Sequence, residues 1–533
     1  MKKMGGAGMK KYFLILLVAL FALSGYAFGA KKSGIEKADS KKCYQCHEEI
    51  KALKEGSKHA KLDCGQCHGS LSEHLGDPDT KPTTNLDLDN CGRCHKDQYD
   101  SYFEVNYHKR AKKEKATPDG RAPLLDKLLA GHGFTKEHAE PRSHPYMLID
   151  HITVDRAYGG RFQYKNWADI TKYGKAWDIL VDTNKTLPES AKAANPTCIQ
   201  CKSSDFVMKW AYLGEKNPKA KWDRTSNVFD VIKDAQNPVG CIHCHDPHSA
   251  KGRIIRDALI QAVQRDGDRP YSKNNDKNAL DVKEFRGYRK IGLLKKNDSV
   301  LMCAQCHVEY ACNPGFEKDD FNKKIGFNDP RTNIFPWKNV FDVLKFYDEI
   351  NFRDYRHPVT EANLIKFQHP EAETFMGSKH ERAGATCADC HMAKTKNKAG
   401  KVYTSHYVVS PRENIKGTCL KCHKDWTEKQ AIYTIDSVKN YIKGKIRKSE
   451  YWLAQFIDKF EKAKKMGVSE DVLKEARKQH DIAHAHWEWW TAENSDGFHN
   501  PDQARQSLAT SIEASKKGIE ILEKAIKEKS AQK

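Results

Sequence analysis

Eight times along this chain two cysteines stand three residues apart, and no other feature limits its fold so severely. Seven of the pairs run directly into histidine: Cys43, Cys46 and His47; Cys64, Cys67 and His68; Cys91, Cys94 and His95; Cys241, Cys244 and His245; Cys303, Cys306 and His307; Cys387, Cys390 and His391; Cys419, Cys422 and His423. The eighth, Cys198 and Cys201, runs into Lys202. C-x-x-C-H is the attachment signature of c-type haem. The two thiols add to the vinyl groups of one haem, and the tether places the histidine to ligate the iron from its proximal side. One C-x-x-C alone fits a zinc knuckle or a redox dithiol equally well. Repetition with histidine at one fixed place selects haem, so the chain is expected to wrap eight porphyrins.

Those porphyrins supply much of an apolar interior, which accounts for a chain only 39% hydrophobic. The expected fold is a mainly α multihaem cytochrome c, with little β, long irregular connections and a carboxy-terminal bundle of long helices. Sixteen of seventeen cysteines are used by the motifs, leaving Cys312 over and no structural disulfide. A net charge of +20 ordinarily points to nucleic acid or an anionic surface. Residues 1–29, however, read as a secretory signal: Lys2, Lys3, Lys10 and Lys11, then an apolar run from Tyr12 to about Phe28, then small residues. That run falls short of the ~20 residues of a membrane span, although an uncleaved anchor is the alternative. Without those lysines +16 remains, and the haem propionates offset most of it. No nucleic-acid partner is expected. Haem attachment outside the cytoplasm agrees with export, so the expected location is periplasmic.

The motif spacing divides the chain. After the leader 1–29, residues 30–105 hold three motifs with little apolar sequence between them and read as a tri-haem module. Residues 106–424 hold the other five and read as a catalytic penta-haem domain. Residues 425–533 carry no cysteine and read as long helices packed on it. One helix is expected to end near Met466 and Gly467, and Ser469 can cap its successor. Asn500 and Pro501 have the form of an N-cap followed by proline at the first helical position. Leu508, Ile512, Ile519, Leu522 and Ile526 then recur near the helical period. These helices pack on one another, on the haem core or on a second subunit.

Lysine at position 202 sets one haem apart. To ligate, its amine must lose a proton against a free pKa of ~10.4, which burial and the charge of iron both favour. The alternative is a haem held by its two thioethers whose proximal ligand comes from elsewhere. With the residues that follow, C-x-x-C-K resembles the cytochrome c nitrite reductase family, whose pentahaem members form ammonia from nitrite. Cys303-Ala304-Gln305-Cys306-His307-Val308-Glu309-Tyr310 resembles its segment bearing a catalytic tyrosine. Lys366-Phe367-Gln368-His369-Pro370 resembles its Lys-x-Gln-His segment, and Pro141-Arg142-Ser143-His144 its Pro-Arg-Gly-His segment with serine for glycine. The extra amino-terminal motifs and Tyr310-Ala311-Cys312 are similar to the octahaem branch.

The resemblance implies six-electron reduction of nitrite to ammonium at the Lys202 haem, with seven bis-histidine haems as wiring and side activity on hydroxylamine and sulfite. It implies Arg142, Tyr310 and His369 on the distal side, where a cation holds the anion and offsets developing charge and His369 or Tyr310 relays protons. It also implies calcium held by Glu309, Gln368 and the carbonyls of Tyr310 and Lys366, an oxygen-rich set that suits that ion. Tyr310 and Cys312 would face one way on an extended segment, so a thioether between them is expected from the octahaem branch, with a buried free thiol as the alternative. For distal ligands the pattern gives His108, His380, His406 and His499. His59 and His74 serve the tri-haem module, and His248 is taken for the remaining place. Histidines 480, 484 and 486 are left as structural or solvent-facing. A quinol-linked or small-cytochrome donor and a homo-oligomer are expected. Other octahaem chemistry (hydroxylamine oxidation or tetrathionate reduction) and a non-catalytic electron conduit are the competing readings.

Overall fold

Residues i, i+3 and i+4 share one face of a helical turn, so a short helix presents both thiols and the histidine of a motif to the same side. The computed structural model describes residues 36–105, 124–130, 143–148 and 196–532. Within them helices span both cysteines at Cys241–Cys244, Cys387–His391 and Cys419–Cys422, and end at or just past the first cysteine at Ser40–Cys43, Leu88–Gly92 and Ser299–Cys303. The histidine N–H closes the turn on the first cysteine's carbonyl at 3.0 Å for His47 and His307, and at 2.9 Å for His95, His245 and His423. Lys202 is held differently. Its motif is a 3-10 helix, Pro196–Cys201, and its N–H reaches the nearer carbonyl of Ile199 at 2.8 Å.

The chain forms two compact units. One comprises Met1–Glu55 and Ala60–Asn85 and carries the motifs of Cys43 and Cys64, with a two-stranded ladder pairing His68–Gly69 with Thr83–Thr84. Among its described residues only Leu71 and Lys54 are buried. The leader 1–29 lies outside the described residues.

The other unit, Gly56–His59 and Leu86–Lys533, carries the remaining motifs. Its largest sheet is small: β1 (Arg253–Ile254), β2 (Leu280–Phe285) and β3 (Arg289–Leu294) are antiparallel in the order β1-β3-β2. Helix α1 (Asp257–Asp266) buries Leu259, Ile260 and Val263 against Leu280 and Leu294, beside Trp337 and Met376. The larger core joins α2 (Val343–Glu349) to three long helices, α3 (Glu428–Lys465), α4 (Glu470–Ala492) and α5 (Pro501–Ala531). Helices thus dominate and sheet is scarce, as the composition and motif spacing lead one to expect.

The helix boundaries follow local chemistry. Thr427 and Gln430 form a capping box at the start of α3. Gly467, at φ 74°, takes the left-handed turn that ends it. Asn500 accepts the Gln503 N–H at 3.3 Å to cap α5, with Pro501 at its first position. Leu508, Ile512 and Leu522 are buried and Ile519 and Ile526 pack at the edge of the same core, so the periodic face of α5 is the one laid on α3 and α4. His480, His484 and His486 are buried on α4, which excludes the solvent-facing alternative. No helix of the described residues is long and apolar enough to cross a membrane.

Where α5 crosses α3, Gly518 faces the ring of Phe456 so closely that any Cβ would strike it. Gly518→Val is therefore expected to destabilise the bundle by about 1–3 kcal/mol through overpacking, read as a lower Tm and an earlier denaturant midpoint.

Candidate active site

An iron ligated by imidazole on both faces separates the two ring centres by two metal–nitrogen bonds of about 2 Å and the ring radii, roughly 6 Å in all. Beyond His480 and His484 of α4, at 6.1 Å, six histidine pairs stand at that separation. They are His47 and His74 at 6.1 Å, His59 and His95 at 6.0 Å, His245 and His406 at 6.4 Å, His380 and His423 at 6.4 Å, His391 and His499 at 6.3 Å, and His144 and His307 at 6.2 Å. Each pair sets a motif histidine against one from another segment. Among the described residues His, Cys, Asp and Glu nowhere gather in threes, as zinc demands, and the described cysteines are free. These residues fit haem.

The outward nitrogens of several rings are fixed as well. Nδ1 of His59 meets the Pro247 carbonyl at 2.7 Å, that of His74 the Thr80 carbonyl at 2.7 Å, that of His391 the Val409 carbonyl at 2.8 Å and that of His406 the Thr404 carbonyl at 3.0 Å. A carbonyl there keeps the proton on Nδ1 and leaves the Nε2 lone pair for a metal.

Five of the six partners, His59, His74, His380, His406 and His499, are among those named from the sequence. His144 is not, although it lies two residues from Arg142. Burial first, then the charges of His307, Lys202 and His391, lower its pKa to about 3, so it is a neutral imidazole with a lone pair to give. Arg142 and His108 lie outside the described residues. His248 stands beside the His59 pair, its carbonyl taking the Ser57 hydroxyl at 2.9 Å.

The residues between the paired cysteines knit three motifs together. Gln305 Nε2 donates to the carbonyls of His243 at 3.2 Å, Arg253 at 3.3 Å and Met302 at 3.1 Å, while its Oε1 accepts the Ile255 N–H at 2.7 Å. His243 in turn lies 3.4 Å from the Gln200 carbonyl through Nε2 and 3.0 Å from Ser204 Oγ through Nδ1. The motifs of Cys198, Cys241 and Cys303 thus share one buried lattice. Thiols of neighbouring motifs meet in the same region: Cys91 with Cys241, Cys303 with Cys387, and Cys201 with Cys306. Buried Arg256 joins the last contact to Tyr310. It donates to Cys201 Sγ at 2.5 Å and lies 5.9 Å from the Tyr310 ring. Only its chemistry, a cation in an apolar site, marks it, and the sequence alone gives no spacing that would.

Tyr310 and His369 are brought together by a second network. The Glu309 carboxylate, wholly buried, accepts the Gln368 N–H at 2.7 Å and the Tyr347 hydroxyl at 2.7 Å. The Glu309 N–H donates to Glu373 at 3.1 Å, and the Ala372 N–H to the His307 carbonyl at 3.1 Å. Burial pushes the Glu309 and Glu373 carboxyls well above their usual range, and burial with the nearby Glu488 raises Asp354 to about 7. Lys366 Nζ answers Glu488 at 2.8 Å. Buried acids beside the carbonyls of Tyr310 and Lys366 and the amide of Gln368 are a donor set suited to a hard cation.

Replacing Glu309 by alanine leaves the Tyr347 hydroxyl and the Gln368 N–H without their acceptor, at about 1–3 kcal/mol for each buried group. Denaturant unfolding is expected to show that loss, reduced when Tyr347→Phe is added.

Comparison with known proteins agrees with this geometry. Residues 87–167 and 173–533 match the cytochrome c552 family model. The match begins one residue inside the second unit, and the motifs of Cys43 and Cys64 precede it. Cytochrome c nitrite reductase subunit NrfA of Nitratidesulfovibrio vulgaris is 28% identical over 420 residues, 75% of this chain and 68% of that protein. Cytochrome c-552 of Haemophilus ducreyi is 29% identical over 400 residues, 73% of this chain and 66% of that protein. The solved catalytic subunit of cytochrome c nitrite reductase from Desulfovibrio desulfuricans, a structure with two calcium sites, shares the fold. It superposes with a TM-score of 0.60 at 24% identity, over 83% of this chain and 87% of that one.

Proposed function

The chain belongs to the cytochrome c552 family, and from that membership and the buried site we propose that it reduces nitrite to ammonium at the haem of Cys198 and Cys201, with Lys202 as proximal ligand. The observation that carries the reading is the junction beside Cys201, where Arg256 donates to Cys201 and lies 5.9 Å from the centre of the Tyr310 ring and Glu309 binds the segment bearing His369. Haem iron, when bound there, would supply the electrons and the place where N–O bonds break. The rest falls to side chains. Nitrite is an anion that takes up six electrons and eight protons to leave as ammonium and two waters. Arg142 and His369 are assigned to hold it and to offset charge as oxygen leaves. Tyr310 and His369 are assigned to deliver protons.

The remaining haems form the wiring. The thiol contacts join the Cys91 motif to that of Cys241, and the Cys303 motif to those of Cys201 and Cys387; the Gln305–His243 hydrogen bond suggests the link between the two groups. We assign bis-histidine ligation to seven haems, eight in all. With His144 opposite His307, one of His108 and His248 is surplus to the seven distal places. We assign the periplasm as location, a quinol-linked or small-cytochrome donor as electron source and a homo-oligomer as the working state. Hydroxylamine and sulfite are assigned as side substrates.

Calcium is assigned to Glu309, the Tyr310 and Lys366 carbonyls and Gln368. The solved relative with two calcium sites supports this, as do the acids whose pKa burial raises. Without a cation those acids hold protons that binding must displace. Because burial raises the Glu309 carboxyl above the usual range, affinity is expected to fall as pH drops, and calorimetry on chelator-treated protein over a pH series checks it. A thioether between Tyr310 and buried Cys312 is also proposed, and a peptide map linking the two residues tests it.

The decisive assay supplies nitrite with reduced viologen. Holoprotein is expected to form ammonium, His369→Ala to lower kcat by about 10²–10⁴-fold as a lost proton donor does, and Lys202→His to lower it with the haem count unchanged. Holoprotein that forms no ammonium contradicts the proposal.

A further inference from the structure

Four of the paired histidines turn Nδ1 to a neutral backbone carbonyl, but His499 turns its own to a charge. Its Nδ1 lies 2.6 Å from Oε1 of Glu493, whose side chain is fully buried. Glu493 follows the last residue of α4 as its C-cap, and the loop beyond it curls back through Asp496 at φ 53° and Gly497 at φ 79°. That curl aims donors at the carboxylate. Oε1 also accepts the Ser495 N–H at 3.0 Å, and Oε2 accepts the Ser495 hydroxyl at 2.9 Å and the Gly497 N–H at 3.2 Å. An ionised carboxylate is acceptor-only, and this cradle presents it with donors. Other acids stand further off: the nearest to His307 is Glu371, 3.6 Å from its Nδ1.

A histidine that shares its Nδ1 proton with a carboxylate is a more basic ligand. It stabilises ferric over ferrous iron, since hydrogen bonding beyond the ligand is one of the levers on haem potential. We propose that Glu493 is a positioning residue that gives His499 imidazolate character, and so holds the haem of Cys387 and Cys390 below the potential of those haems whose histidines donate to carbonyls. This inference rests on the reading of His391 and His499, 6.3 Å apart, as that haem's axial pair. Its own proximal side is neutral, since His391 donates to the Val409 carbonyl, so the bias comes from the distal face. The Cys387 thiol meets Cys303, the motif next to Cys201. A low potential there sends electrons on towards the Cys303 haem and discourages their return.

Spectropotentiometric titration of the holoprotein tests it, with Glu493→Gln as the variant, since glutamine keeps the acceptor oxygen and the size and removes the charge. One low-spin haem is expected to become easier to reduce by about tenfold in its equilibrium constant, about 59 mV for a one-electron couple, with the other midpoints in place. Its near-infrared charge-transfer band in magnetic circular dichroism is expected to move to longer wavelength. Midpoints that all stay where they were overturn the inference. His499→Ala separates that failure from failure of the ligation reading: if His499 is axial, one low-spin haem turns high-spin. If Glu493→Gln does not fold, the native spectrum decides, because the proposal requires one band of imidazolate type at neutral pH and its absence overturns it.

Discussion

A carboxylate without access to water, that of Glu309, is the joint on which the candidate site depends. It holds the Gln368 N–H at 2.7 Å and so fixes the segment of His369 to the segment of Tyr310, which itself continues directly from His307. Separated in sequence, the two segments gain nothing from local structure that would bring them together. Ionising a carboxyl buried in this way is costly unless it is paired; the Tyr347 hydroxyl and the Gln368 N–H supply part of that pairing, and the proposed calcium would supply the rest. Under the proposed function the same atoms would set the catalytic geometry and bind the cation.

The second organising constraint is the porphyrin. Where side chains alone would form a core, the first unit buries almost none among its described residues, and in the second unit motif histidines face their partners across gaps of 6.0–6.4 Å. The motifs bring their thiols to one face by elementary helix geometry, and the distal histidines arrive from loops and helix ends. The long helices α3, α4 and α5 give the second unit an apolar core of its own, and the loop from α4 to α5 delivers both His499 and the charge behind it.

Local chemistry was the legible part of the sequence. The eight attachment motifs, the cap at Asn500 and Pro501, and the helix stop at Gly467 each depend on residues a few positions apart, so spacing alone reveals them. Facing histidines are not local: His144 meets His307 from 163 positions away in the sequence, and nothing in its neighbours announces that pairing beyond the adjacent arginine segment. Gln305 and His243 carry no such mark, because the middle of C-x-x-C carries no requirement from the haem itself. Their polarity at buried positions was the available signal. Arg256 had less, since a buried cation beside Tyr310 and Cys201 is defined only by the fold.

The central claim is that one haem of this chain, the one beside Lys202, keeps a coordination position open while the others are closed by histidine. Electron paramagnetic resonance of the oxidised holoprotein tests it most directly. The account predicts one high-spin ferric haem per chain among low-spin haems, with the high-spin signal alone changing when nitrite is added. A spectrum in which every haem is low-spin and indifferent to nitrite would contradict it.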